Sequence, residues 1–276
     1  MALRINYNFE SVSAQRNLTG TQNSFFRAIE QLSSGLRINK AADDAAGLAV
    51  SEKLKNQVRG LNQAQRNAQD GISLVQTAEG ALSETHNILA RMRELSIQSA
   101  NDTLTNSDRV HIQDEVNQLL SEIDRIAVST TFNKIQLLGG AAVKLHVGPN
   151  DDSGGTAVNE MTVNFVSSYA SGLGVDTTSV SAQSISNSAI TAFDAAIETV
   201  STQRGLLGAY QNRLQSTINS LGIASENTGA ANSRIRDADV AASVAEMTRT
   251  QILQQATMAV LAQANQSPQM ALQLLK

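Results

Sequence analysis

Three histidines, His86, His111 and His146, and two adjacent acidic pairs, Asp43-Asp44 and Asp151-Asp152, are the residues of this chain whose types could do chemistry. Histidines joined by further imidazole or thiolate ligands at helical spacing would hold a metal, and two carboxylates can divide general acid and base work. Neither pattern is completed. The histidines are isolated from one another, and His86 and His111 read as helix-surface residues. Asp43-Asp44 stand where a long helix opens, so orphan N–H groups and the helix dipole account for them. Asp151-Asp152 fall in Pro-Asn-Asp-Asp-Ser-Gly-Gly, which lacks the spaced carboxylates of a calcium loop and reads as plain turn chemistry. No phosphate-cradling glycine loop and no Ser/His/Asp set is present. Cysteine is absent, which removes disulfides, thiolate metal sites and a thiol nucleophile. The expectation is a chain with no catalytic residues, no metal and no cofactor.

A non-catalytic reading puts the weight on the elements. Of 276 residues 41% are hydrophobic but only 3% aromatic, with no Trp, so the core must be built from Ala, Leu, Ile and Val. Small side chains of this kind suit a narrow helix–helix seam. Prolines occur only at 149 and 268, leaving long helices unbroken. The net charge is −4 and the basic residues are scattered, so there is no electrostatic footprint for nucleic acid. Met1 to Gly20 has no continuous apolar h-region, and no segment approaches a membrane span. By those rules alone the chain would be placed in the cytoplasm, without membrane insertion.

The dominant stretch is 41–100. Apolar residues recur there at Leu54, Val58, Leu61, Ala64, Ala68, Ile72, Val75, Ala78, Leu82, Leu89, Met92 and Leu95, mostly three and four apart. That spacing predicts one helix with a single sticky seam, on the order of 90 Å long if continuous, which needs partner helices along its length. A second helix at 107–129 carries Ile112, Val116, Leu119, Ile123 and Ile126 in strict 4-3-4-3 spacing and should fold back antiparallel on the first. A third, 185–228, supplies the other partner.

Between these, 140–184 predicts a small β-hairpin and loop, with Val143, Leu145 and Val147 alternating on one side of the turn and Met161, Val163 and Phe165 on the other. Weaker helices at about 11–32 and 237–266 are each set off by polar connectors, 33–40 and 227–236. The fold class expected is mainly α: an elongated antiparallel helical bundle or coiled-coil rod with a small hairpin at mid-chain. Its domains are a terminal-helix unit from 1–40 and 236–276, and a rod from 41–235. From Thr250 to Leu275 there is no charged residue. A helix there would be sticky on more than one side, and such faces are satisfied by identical neighbours.

Several motifs in fixed order carry a resemblance. They are Leu32-Ser33-Ser34-Gly35-Leu36-Arg37-Ile38-Asn39, Asp43-Asp44-Ala45-Ala46-Gly47, Asn67-Ala68-Gln69-Asp70-Gly71-Ile72-Ser73 and Thr77-Ala78-Glu79-Gly80-Ala81-Leu82. At the other end stand Ser233-Arg234-Ile235, Asp237-Ala238-Asp239, Gln251-Ile252-Leu253-Gln254-Gln255-Ala256 and Val260-Leu261-Ala262-Gln263-Ala264-Asn265-Gln266. Over roughly 1–140 and 185–276 the chain resembles bacterial flagellin. One departure is Arg236, where that pattern usually has an acidic residue.

The resemblance implies a self-assembling subunit of the extracellular flagellar filament, exported by the flagellar type III pathway with an uncleaved N-terminus. Terminal-helix residues Ile252, Leu253, Val260 and Leu261 would take part in assembly. It further implies partners: other copies of the chain, an export chaperone, the filament cap and the hook–filament junction proteins. The short middle leaves no room for outer domains. Arg91, Leu95 and Glu115 match positions bound by the vertebrate Toll-like receptor for flagellin, whereas helical spacing alone reads them as a solvated Arg/Glu face and a core leucine. Two alternatives stand beside the filament subunit: a hook–filament junction protein, and a coiled-coil binding module that never elongates.

Overall fold

The computed structural model describes residues 7–151 and 158–273. Among these, the elements run α1 (Phe9–Ser34), α2 (Ala45–Ser99), α3 (Asn106–Ser129), β1 (Thr131–Phe132), β2 (Ile135–Gln136), β3 (Ala142–His146), β4 (Glu160–Asn164), α4 (Gln183–Arg236) and α5 (Val240–Gln273). They divide into two compact units. One spans 57–226, and the other joins the two chain ends, up to Asn56 and from Asn227.

Within 57–226 the apolar seam of α2 is buried as its spacing demands: Leu61, Ala64, Ala68, Val75, Ala78, Leu82, Leu89, Met92 and Leu95 are all in the core. The α3 helix starts at a capping box, in which the Thr105 hydroxyl accepts from Asp108 N and the Asp108 carboxylate accepts from Thr105 N at 2.9 Å. Its heptad buries Ile112, Val116 and Ile123, with Leu119 and Ile126 half-buried against the same core. Both neighbours of α2 run antiparallel to it. Arg91 reaches Glu115 on α3, while Arg93, Glu79 and Asn62 meet Asp194, Gln211 and Ser225 on α4.

The turn between α2 and α3 is held from inside. Arg109 is only 6% exposed, and its guanidinium donates to Ser99 O at 2.9 Å, Asn101 O at 3.0 Å and Asn106 Oδ1 at 2.8 Å. A cation placed on the last carbonyls of a helix satisfies groups that have no partner of their own and complements the dipole.

The β3–β4 hairpin pairs Val143 with Val163 and Leu145 with Met161. It lies on the helices: Asn67 donates to His146 O, Gln203 to Asn164 O, and a Cβ at Gly71 would stand 2.5 Å from Leu145 Cδ1. Part of the expected turn at 149–155, with Asp152, lies outside the described residues. A second, shorter hairpin at 131–136, which the sequence presents only as a helix end, turns through Asn133 and Lys134, both with positive φ.

At the chain ends α1 and α5 pair antiparallel. Asn8 donates to Ala264 O at 2.8 Å and Ser11 to Asn265 Oδ1 at 2.8 Å. The expected polar connector at 227–236 is instead the end of α4. Polarity alone does not end a helix: the segment has no Pro and one Gly among helix-tolerant residues, and Arg236 is held there by an ion pair with Glu52.

Candidate assembly surface

The first connector starts at Gly35, which ends α1 in the left-handed conformation, φ 69°, and donates to Gln31 O. That turn sends the chain alongside the second connector. Leu36 and Asp237 form an antiparallel bridge, flanked by Arg37 N donating to Arg236 O at 2.7 Å and Ala238 N donating to Gly35 O at 2.9 Å. Arg37 then caps α4, its Nε and Nη2 donating to Ile235 O at 3.2 and 2.6 Å. Within Ser233–Asp239, Arg236 pairs with the distant Glu52, while the two aspartates have local tasks. Asp237 accepts from the Ser233 hydroxyl, and Asp239 accepts from Ala242 N to open α5.

The acidic pair is structural. Asp43 accepts from the N–H groups of Lys40 and Asn39, which with Arg27 hold its carboxyl below the usual carboxylate range. Asp44 caps α2 by accepting from Gly47 N at 2.8 Å. Together with Gln31, Arg37 and Ile38 these residues line a cleft of about 340 Å³. No group of three metal-binding side chains occurs among the described residues.

Beyond this clasp, the fully buried positions of the α1–α5 seam are small residues, with Leu18, Phe25, Leu32, Met247 and Leu261 half-buried beside them. Ala14 and Ala28 on α1 and Ser243, Thr250 and Ala264 on α5 are buried, so two helix backbones approach closely. Many of the larger apolar side chains are left exposed. Phe9 is 70% exposed, Phe26 64%, Ile252 61% and Val260 58%, and Val12, Ile29, Val240, Val244, Leu253 and Met258 are exposed with them. Leu261 alone of the four terminal-helix residues singled out from sequence is half-buried. It lies on the stripe of Thr250, Thr257 and Ala264 rather than on the open face. Exposed apolar side chains in this number on a folded unit mark a contact site, and across α5 from Thr250 onward there is no charged residue among them.

On the other unit, Arg91 and Glu115 meet at 3.0 Å and Arg91 and Glu94 at 3.3 Å, both exposed. The hydrogen bond to Glu115, more than that to Glu94, holds the guanidinium above its ordinary value. Leu95 is 2% exposed and packs in the core, so no partner reaches its side chain from outside. Of this trio the structure brings Arg91 and Glu115 together on the surface and sets Leu95 beneath. The role of Arg109 and Arg37 as helix caps has no signal in the spacing, because each acts on a turn that forms only after folding.

Comparison with known proteins matches the chain from both ends. Residues 5–142 match the family model described as the bacterial flagellin N-terminal helical region, and 190–275 match the C-terminal helical region. A flagellin of Halalkalibacterium halodurans is 50% identical over 274 residues, 99% of each chain. The flagellar filament 33 kDa core protein of Treponema phagedenis is 46% identical over 291 residues, again covering 99% of each. Among solved structures, that of a putative flagellar hook-associated protein from Vibrio parahaemolyticus superimposes with a TM-score of 0.57 over 71% of this chain and all of that one. At 15% identity it speaks for the fold alone.

Proposed function

The chain belongs to the bacterial flagellin family and is a structural subunit of the flagellar filament, and we propose that the open apolar faces of α1 and α5 are where copies of it join. The observation that carries this is how much apolar surface the terminal pair leaves uncovered: its fully buried positions are small residues, while Phe9, Phe26, Ile252, Leu253 and Val260 lie outside. A finished two-helix unit would place them inside. Side chains of this size are worth about 1.5–3 kcal/mol each when fully buried, and a face of several supplies the drive for association. A face that meets a different face on the next copy builds an open helix when the rotation between copies does not close into a ring.

In this reading the terminal-helix domain of 1–40 and 236–276 assembles, and 41–235 is the rod domain. The chain passes to the cell exterior by the flagellar type III route, with a chaperone covering α5 beforehand, and meets the cap and the hook–filament junction proteins at the filament's ends. The role is mechanical and not catalytic. Arg91 and Glu115 are the exposed positions at which the vertebrate Toll-like receptor for flagellin would touch it, with Leu95 as their support.

The test is elongation from sheared filament seeds, followed by light scattering and electron microscopy, for the full chain and for Ile252→Asp with Val260→Asp. The pair should raise the monomer concentration needed for growth by about a hundredfold, since each residue contributes on the order of 1–2 kcal/mol. Unchanged growth would move the contact elsewhere.

A further inference from the structure

We propose that Met258 is a modification site for two-electron oxidants such as hydrogen peroxide, and that its sulfoxide keeps the chain from joining a filament; the second half rests on the assembly reading above. The chain has six methionines and no cysteine, so oxidant chemistry falls on thioethers with no thiol to intercept it. Of the four methionines whose side chains are described, Met92 and Met161 are sealed in the core of 57–226 and Met247 is half-buried. Met258 is 49% exposed. It stands on α5 one residue past the seam residue Thr257, on the flank it shares at seven-residue spacing with Asn265, whose side chain accepts from Ser11 of α1. Met258 therefore borders the α1–α5 seam with about half of its surface exposed, inside the apolar, charge-free stretch that self-contact would cover.

The chemistry is balanced with one oxidant. The thioether sulfur attacks one peroxide oxygen, the O–O bond breaks as the S–O bond forms, and the departing hydroxide takes the proton of the transferred oxygen and leaves as water. Sulfur loses two electrons and peroxide gains them. The product is a polar sulfoxide in place of a flexible apolar side chain, and burying it without a donor is unfavourable. A penalty typical of an unpaired buried acceptor corresponds to about a tenfold higher monomer concentration for growth. Methionine sulfoxide reductases reverse the step, so assembly would be restored rather than abolished.

The experiment treats monomeric full-length protein with graded hydrogen peroxide, maps oxidation at each methionine by peptide mass spectrometry, and measures seeded elongation before and after treatment. Met258→Leu, which keeps the side chain apolar and of similar size, is carried in parallel, and oxidised wild type is also incubated with reductases for both sulfoxide epimers. Met258 should oxidise at least tenfold faster than Met92 and Met161. Oxidised wild type should need about tenfold more monomer, Met258→Leu should be insensitive, and reduction should restore growth. Preformed filaments should protect Met258. The inference is overturned by itself if untreated protein elongates and oxidised wild type grows equally well, or if Met258→Leu loses growth to the same degree. Failure of both untreated chains to elongate overturns the assembly reading, and this inference with it.

Discussion

Replacing Arg109 by methionine tests whether one buried guanidinium holds the α2–α3 turn. In the native chain its three hydrogen bonds, at 2.8 to 3.0 Å, run to two carbonyls and an amide. Hydrogen bonds from a charged donor contribute about 1.5–3 kcal/mol each, and they do not add when one group makes all three. The substitution also strands the carbonyl of Ser99, a buried residue, while the methionine stem refills part of the volume. Balanced together, the loss is about 3 kcal/mol. At roughly 2–4 °C per kcal/mol for a unit of this size, the melting temperature falls by about 6–12 °C.

Far-UV circular dichroism of the full chain against temperature and urea reads the effect. Arg109→Lys keeps the charge near the helix end but offers a point donor in place of a fork, so it should lose about half as much. A shift under about 2 °C for Arg109→Met, or a lysine variant as damaged as the methionine one, would refute the capping argument.

Two glycines of α2 should respond in opposite directions to alanine. At Gly80 a Cβ meets nothing within 4 Å, so Gly80→Ala should stabilise by about 0.5–1 kcal/mol in urea unfolding. At Gly47 the added carbon collides with the Asp44 carboxylate, so Gly47→Ala should cost the cap, about 1 kcal/mol; equal effects at both sites would discredit the contact. Gly71→Val should cost about 2 kcal/mol by pressing on Leu145, and adding Leu145→Ala should return part of it in a double-mutant cycle, whereas strict additivity would mean the two do not touch. Asp108 is held below the ordinary carboxylate range first by the Thr105 hydroxyl and then by its N–H. Its contribution is therefore complete above about pH 4 and lost as pH falls through the lower folded value. Amide protection in the first turn of α3, taken relative to the intrinsic exchange rate at each pH, should fall at acid pH in the native chain and lose that dependence in Asp108→Asn; matching profiles would contradict the cap.

The helices are legible because burial repeats along them. Leu82, Leu89 and Met92, or Val116 and Ile123, are spaced as a one-sided seam must be, and a β-hairpin follows from Leu145 and Met161 alternating about a dense turn. Where interactions are made across the chain, sequence is silent. Nothing near Asn227 announces that α4 runs on to Arg236, since the ion pair with Glu52 comes from a helix far earlier in the chain. Lys134 at positive φ hides the β1–β2 turn, because that conformation is normally signalled by Gly or Asn. The motifs at 33–39 and 233–239 stand out as patterns, yet their joint task of bridging the two connectors emerges only when Leu36 lies beside Asp237. Along α5, apolar residues are spread so evenly that periodicity cannot separate Leu261, on the seam, from Ile252 and Val260 outside it.

The absence of cysteine makes the central claim directly measurable, since Val260→Cys would carry the chain's sole thiol. Maleimide labelling of that variant is timed in the monomer and in filaments grown from seeds, with Ser121→Cys, on the exposed face of α3, as the reference. If the open face of α5 is where copies join, the thiol at 260 labels readily in the monomer and at least tenfold more slowly in the filament, by more than the reference does. Labelling at 260 that is equally fast in both states would place the contact between copies somewhere else.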